Sequence, residues 1–501
     1  MSRCLAILLT ATTLSACTVG PNYKEPDAPT PLAYADASAV PAGAATQADL
    51  SVWWAQFRDP ELSSLIGRAM QGNLDLRSAV SRIREAREQE IVAGAAAMPQ
   101  LNAAADVNHT HISQNSGLSE LANLFGGGGS GSGGSGGGFA LPGGGFTTYT
   151  LGFDASWEID VFGGTRRAVE AAEAKSEQAV WTSRDSEVTV AAEVANDYLT
   201  LRALQRQTAV ANEEIGQQQQ TLSLVRARRK FGFVTDLDVR QQQAQLSTAR
   251  ATLPDLDAEA RAQIHALGVL LGEQPESLEN ELATPSALPA GPPGVPVGLP
   301  SDLLRRRPDI RAAERALAAS NAQIGVAVAD LYPKFDLTGA FDFVSLDLRH
   351  LLDLSSRQYS AMGAVSWPIF AGGKIRANIG AMKEEDLQAV YAYQKSVAGA
   401  LQDVEDALTR YGDEETKNAA LHDTLAQALG AGSIAVSQYR AGLSDFTPVL
   451  TAQGTQLNAQ NQLVQSDGAL DRDLVSLYKA LGGGWKDTGS PVKTKAGWFA
   501  Q

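Results

Sequence analysis

The chain has 501 residues, with 41 Lys and Arg against 56 Asp and Glu, a net charge of −15. That balance disfavours nucleic acid as a partner, and two cysteines in so long a chain exclude a disulfide framework. No apolar run after Cys17 approaches the ~20 residues of a transmembrane helix, so any crossing of a bilayer must be made by strands, which satisfy their backbone between neighbours.

The N-terminus reads as an export signal. Arg3, an apolar run from Leu5 to Leu9 and then Leu14-Ser15-Ala16-Cys17 form a short bacterial signal ending in a lipobox; such a segment is removed and does not span the mature membrane. Residues 1–16 are predicted to leave, taking Cys4 with them, and Cys17 to carry an N-acyl chain and an S-diacylglycerol. Acyl chains contribute roughly 0.8 kcal/mol per buried methylene, which makes a firm tether. Thr18, not Asp, follows the cysteine and suits sorting to the outer membrane. Residues 17–60 are read as the acylated arm, extended from Lys24 to Asp49, and no cofactor beyond the lipid is expected.

Two strands come next. Leu101, Ala103, Ala105 and Val107 alternate with Asn102, Asp106 and Asn108; after a glycine-rich stretch, Tyr149, Leu151, Phe153, Ala155 and Trp157 alternate with Thr148, Thr150, Gly152, Asp154 and Ser156. A long helix is predicted from Ala168 to Lys230, 63 residues without proline and with one glycine, Gly216. At 1.5 Å per residue it spans on the order of 95 Å. Lys230-Phe231-Gly232-Phe233-Val234 then reads as a turn, because glycine permits the positive φ with which a helix ends and reverses. A shorter helix runs from about Leu237 to Leu271, with a kink at Pro254.

The same order then returns. Ala283 to Pro300, rich in Pro and Gly, is the joint. Phe335, Leu337, Gly339, Phe341 and Phe343 alternate with Asp336, Thr338, Ala340 and Asp342, and Tyr359, Ala361, Gly363, Val365 and Trp367 mark a fourth strand. The second long helix, Arg376 to Tyr439, has 64 residues and no proline; Arg440-Ala441-Gly442-Leu443-Ser444 is its turn and Pro448 to Leu481 its shorter partner. Trp157 and Trp367, Gly232 and Gly442, and Leu271-Gly272 and Leu481-Gly482 are each 210 residues apart. A period this long is no solenoid unit. It is a duplicated half-molecule, residues 61–282 and 301–484 around the linker 283–300, with a tail 485–501 that has no readable structure.

Period-2 segments of about 10 residues, with aromatics near their ends, suit strands with a lipid face and a lumen face; a soluble antiparallel sheet alternates in the same way. Four strands do not close a barrel, since the smallest need about eight. Either several chains share one barrel or the sheet is water-soluble. The helices favour the shared barrel. Val390, Val397, Val404 and Tyr411 recur every seven residues, with Leu387, Leu401 and Leu408 on the adjoining stripe; Val180, Val194 and Leu201 keep the matching register in the first copy, and Glu187 breaks it. Such a seam packs helix against helix, and helices of this length exceed what a globular core needs.

Some features carry little chemistry. Gly131-Ser132-Gly133-Gly134-Ser135-Gly136 fits G-x-G-x-x-G, but 13 of the 20 residues from Gly126 to Gly145 are glycine, and the stretch opens no helix. It reads as a flexible insertion in the loop joining the first two strands, and it explains why Pro99 and Pro333 are 234 residues apart. His109 and His111 share one side of a strand without a third ligand, so they read as an incidental surface pair and no metal site is assigned. Arg305-Arg306-Arg307, before the helix-starting Pro308, reads as a solvated connector.

Several segments resemble, in order, an outer membrane efflux protein: Cys17 to Pro26 (CTVGPNYKEP), Trp53 to Leu62 (WWAQFRDPEL), Leu299 to Glu314 (LPSDLLRRRPDIRAAE), Val326 to Pro333 (VAVADLYP) and the two helix-turn-helix tips. The chain is similar to the TolC-like channels of tripartite pumps, in their lipoprotein, NodT-type branch. The resemblance implies a mainly α protein with a membrane β-barrel: a homotrimer whose four strands per protomer form one 12-stranded barrel, continuous with a long periplasmic barrel of helices. Its implied partners are a periplasmic adaptor (membrane fusion) protein, an inner-membrane RND-type transporter and outer-membrane lipid. It implies passive conduction of drugs or other small toxic compounds to the exterior, and no catalysis. By the same resemblance Asp403 and Asp406, three apart and so on one helix face, form a periplasmic gate near the end of the second long helix. Gly232, Phe233, Gly442 and Leu443 meet the adaptor.

Two other readings compete. A duct for type I polypeptide secretion uses the same architecture. A trimeric coiled-coil surface adhesin would share the lipid and the heptads but needs no duplication. A periplasmic enzyme is disfavoured, since no mutually positioned catalytic groups are visible. The exported substrate is not legible; of five methionines Met70, Met98, Met362 and Met382 are scattered in the mature chain, which makes no thioether ladder for copper or silver.

Overall fold

The computed structural model describes residues 18–35, 50–111, 113, 145–292, 298 and 300–486. Cys17, the glycine-rich insertion and the chain beyond 486 lie outside them. Two compact units emerge, one from Met1–Tyr23, Glu88–Glu173 and Ala319–Asp386, the other from Lys24–Arg87, Ala174–Ala318 and Leu387–Gln501. Each unit draws on both copies of the repeat.

The first unit holds the strands β1 (Gln100–His111), β2 (Gly145–Ile159), β3 (Lys334–Ser345) and β4 (Arg357–Ser366). They form one antiparallel sheet in the order β1-β2-β3-β4. Directly opposed residues share a face, and the register sorts the faces cleanly. Val107 opposes Tyr149, Ala103 opposes Phe153, Phe153 opposes Phe341, and Phe341 opposes Tyr359, all on one apolar face. Asn102 opposes Asp154, Asp106 opposes Thr150, Gly152 opposes Asp342 and Glu158 opposes Asp336 on the other. The apolar face is bare: Phe153, Phe341, Tyr359 and Val365 are exposed. The duplication is visible in detail, since Trp157 Nε1 donates to the Ala97 carbonyl and Trp367 Nε1 to that of Leu331, each at 3.0 Å.

The helices are α1 (Pro60–Gly72), α2 (Leu74–Ala95), α3 (Gly164–Lys230), α4 (Asp236–Ala251), α5 (Leu253–Leu270), α6 (Pro300–Arg306), α7 (Pro308–Ala329), α8 (Lys374–Ala441) and α9 (Thr447–Ala480). The long helices have 67 and 68 residues, and no described helix is apolar enough to cross a membrane. Asp59 caps α1 by accepting from the Glu61 and Leu62 amides at 2.8 and 3.0 Å, which satisfies donors that a helix start otherwise leaves orphaned. The predicted kink in the first short helix is a break at Thr252, two residues before Pro254; α9 runs unbroken.

The second unit carries the core. Leu62, Leu65 and Ile66 of α1 meet Tyr198, Leu199 and Leu201 of α3, Leu267 and Leu271, Val404 and Leu408 of α8, and Leu474, Leu477 and Tyr478 of α9. Each fully buried aliphatic side chain contributes roughly 1.5–3 kcal/mol. The heptad seam is the buried stripe at Val397, Val404, Leu408 and Tyr411, while Leu387 at its start is exposed. Trp53 stacks on Tyr478 with ring centroids 5.2 Å apart, fastening the N-terminal arm to α9.

Candidate functional site

Both helical hairpins end in the same motif. At the end of α3, Gly232 N donates to the Arg229 carbonyl and Phe233 N to that of Arg228, both at 3.0 Å. At the end of α8, Gly442 N donates to Tyr439 at 3.0 Å and Leu443 N to Gln438 at 2.9 Å. These paired four-residue and six-residue closures make a Schellman cap, whose left-handed residue favours glycine; φ is +78° at Gly232 and +75° at Gly442. Thr235 then starts α4 with a capping box to Asp238.

Apolar side chains project from these turns. Phe231, Phe233 and Leu443 are 77%, 70% and 80% exposed, a combination that marks an interaction surface more often than it marks chance. Beneath them Val225, Ala435, Tyr439, Phe446 and Val449 form a small buried cluster. Arg228 crosses from the first hairpin to the second: it donates to the Tyr439 carbonyl and its guanidinium lies 4.5 Å above the Tyr439 ring and 6.0 Å from that of Phe233. Burial raises the Tyr439 phenol above its ordinary range, with Arg228 opposing the shift. Arg228, Arg229 and Lys230 fill the last turn of α3, and Arg440 that of α8, where cations meet the negative end of the helix dipole.

Asp403 and Asp406 lie elsewhere. Asp403 is thirty-nine residues before Gly442, about 58 Å along the helix, and their expected place near the end of α8 is corrected to mid-helix. The spacing of the two carboxylates set their common face but not their height. Asp403 accepts from Arg307 Nη2 at 2.9 Å; Arg307 also holds Asp309 through Nε and Nη2 at 3.0 and 2.8 Å and donates to the Ala480 carbonyl at 3.1 Å. Arg307 is therefore not a solvated connector: it ties the start of α7 to the middle of α8 and the end of α9. Asp406 accepts weakly from Gln402 at 3.4 Å.

Sequence reasoning passed over a buried polar knot. Arg202, 1% exposed, pairs with Glu61 and donates to Gln205 Oε1 at 2.7 Å and to the Thr284 carbonyl at 3.2 Å, while Tyr198 Oη donates to Asp59 at 2.8 Å. An arginine sharing a helix face with Ala195, Tyr198 and Leu199 was the available signal. It also passed over Asp471, whose carboxyl burial pushes up to about 7. No cluster of three or more potential metal ligands occurs among the described residues; His109 Nδ1 lies 3.0 Å from Thr147 Oγ1.

An internally duplicated chain with an apolar-faced strand unit and two capped hairpins of very long helices defines a membrane channel component. The outer membrane efflux protein family matches residues 65–273 and 299–483, one match for each copy of the repeat, and the chain belongs to that family. It is 32% identical over 446 residues to the pyoverdine export outer membrane protein OpmQ of Pseudomonas aeruginosa, covering 89% of this chain and 90% of that one. With outer membrane protein OprJ of the same species it shares 31% over 498 residues, 98% of each. The solved outer-membrane channel OprN superimposes with a TM-score of 0.84 at 34% identity, over 94% of this chain and 100% of that one. The protein is an outer-membrane efflux channel of a Gram-negative bacterium.

Proposed function

We propose that three copies of this chain build one conduit, delivering drugs or other small toxic compounds from a periplasmic adaptor and an inner-membrane RND-type transporter to the exterior. The supporting observation is the sheet's open edges: among the described residues β1 and β4 each pair on one side only, and their apolar face is bare. In hydrocarbon an unpaired edge strands its amides and carbonyls, at several kcal/mol each. Pairing β4 of one copy with β1 of the next removes that cost. Two copies would give eight strands, whose interior side chains fill; three give twelve and a wet lumen lined by the polar face. The long helices then form a periplasmic helical barrel along their buried seam.

In this reading Gly232, Phe233, Gly442 and Leu443 meet the adaptor, and Cys17 carries the lipid that tethers the arm. The chain itself catalyses nothing; the transporter supplies energy. Native mass spectrometry of the detergent-solubilised protein, joined to planar-bilayer recording, tests the proposal: a trimer with steady conductance is expected. A monomer that stays dissolved without detergent once unacylated, and that conducts nothing, would sink it.

A further inference from the structure

The loop between β3 and β4 is built unlike a surface loop in water. Four leucines stand out from it, Leu346, Leu348, Leu352 and Leu354, at 65%, 63%, 70% and 75% exposure. Its polar groups meanwhile bond to one another, although the Asp347, Arg349, His350 and Asp353 side chains stay 53%, 89%, 68% and 54% exposed. Asp347 accepts from the Arg349 amide at 3.0 Å and from the His350 amide, through its carbonyl, at 3.1 Å. Asp353 N donates to the His350 carbonyl at 3.2 Å and Ser356 N to the Asp353 carbonyl at 2.9 Å. Ser345 Oγ donates to the Asp347 carbonyl at 2.8 Å, Ser356 Oγ to the His350 carbonyl at 2.7 Å, and His350 Nδ1 lies 2.8 Å from Asp353 Oδ2.

A hydrated loop gains little from this arrangement, because water satisfies a backbone without help. A loop resting in an apolar medium requires it, since unmet amides and carbonyls there cost several kcal/mol each. Exposed leucines on a loop whose backbone bonds are closed within the loop make a segment suited to an interface between water and lipid. Its neighbours continue the same surface: Phe343 and Tyr359 stand at this end of the sheet's apolar face, and Phe343 opposes Arg357. Arg349, with an 89% exposed side chain, and Arg357 place cations beside the leucines, where anionic headgroups lie above hydrocarbon.

We propose that this loop is a membrane-seated element, its four leucines dipping into the outer leaflet at the rim of the strand wall and its arginines meeting lipid phosphates. It rests on the reading that the apolar strand face meets lipid. An engineered thiol at Leu352→Cys, labelled with an environment-sensitive NBD probe after showing that the parent chain takes up no label, tests it in phosphatidylcholine–phosphatidylglycerol vesicles. Emission is expected to fall with nitroxide lipids bearing the spin near the headgroup and to resist aqueous iodide. A second label at Leu151→Cys, on the apolar strand face, reports the wall itself. Lipid quenching at 151 with iodide quenching at 352 would overturn the loop proposal alone and leave the leucines in water; protection of 352 from both quenchers would overturn it in favour of contact with another protomer. Loss of lipid quenching at both positions would overturn the wall reading and the inference with it.

Discussion

Arg228 and Tyr439 join the two hairpins at their tips: the guanidinium donates to the tyrosine carbonyl and covers its ring. Hydrogen bonds from charged donors contribute about 1.5–3 kcal/mol, and a stacked guanidinium adds roughly 0.5–1 kcal/mol at a partly exposed site. Arg228→Ala is therefore expected to loosen the tip locally while the core around Tyr198 and Leu474 stays closed. Hydrogen exchange across residues 435–446 should quicken with little change in global melting. Arg228→Lys should not restore protection, because an ammonium lacks the planar face. Unchanged exchange would show the contact to be idle.

The two tip glycines separate shape from packing. A Cβ at Gly232 would touch nothing within 4 Å, and one at Gly442 would meet only Arg228 at 3.8 Å, so room is plentiful and the cost is the left-handed φ. That cost is roughly 1–2 kcal/mol, too little to unfold assemblies of this size. Gly232→Trp and Gly442→Trp should leave trimers in the outer membrane on native gels while export fails in a complemented strain. Retained export would remove the tips from the adaptor interface, and lost trimers would make the caps purely structural.

Much of this was legible because periodicity reports local geometry. Alternation at Tyr149–Trp157 and Phe335–Phe343 exposed the strands and their faces, and proline-free runs gave both long helices. Glycine at 232 and 442 marked turns through its freedom at positive φ, and both adopt it. Height along the helix was legible but misjudged, since Asp403 lies thirty-nine residues before Gly442 in the sequence. What only folding shows is that Arg307 pins Asp403 there. Burial of charge was hidden too, since Glu61 and Thr284 reach Arg202, and Gly291 reaches Asp471, from distant parts of the chain.

Asp471 gives the protein a pH-dependent element. It is 7% exposed and accepts from the Gly291 amide at 3.3 Å, holding the linker against α9. Burial raises its carboxyl to about 7, Asp467 adds to the rise, and Gly291 and Arg472 oppose it. The folded state thus keeps a proton that the unfolded chain releases near pH 4. Its stabilising contribution is complete below that pH and is lost as pH rises through about 7. At about 1.4 kcal/mol per unit the ceiling is on the order of 4 kcal/mol. Melting of the purified protein should fall between pH 5.5 and 8, and Asp471→Asn should flatten that slope; an unchanged slope would clear Asp471 of the effect.

The sheet's polar face predicts the channel's ion preference. Asp106, Asp154, Glu158, Asp336 and Asp342 lie on it, and its one lysine, Lys334, sits at the sheet's end, 3.3 Å from Asp330. Carboxylates gathered in a narrow lumen raise the local cation concentration, and salt weakens the effect over a Debye length of about 10 Å at 0.1 M. The wild-type channel should therefore show a cation-selective reversal potential across a KCl gradient, strongest at low salt. Asp106→Asn, Asp154→Asn and Asp342→Asn together remove charge with little change in shape: Asp154 keeps its place beside Asn102 at 3.0 Å, and the side chain at 342 still fills the space over Gly152, where a Cβ would lie 1.9 Å from Asp342 Oδ1. The reversal potential should move toward zero while single-channel conductance persists. If the potential does not move, these faces do not line the ion path, and the strand wall is turned the other way or never closes.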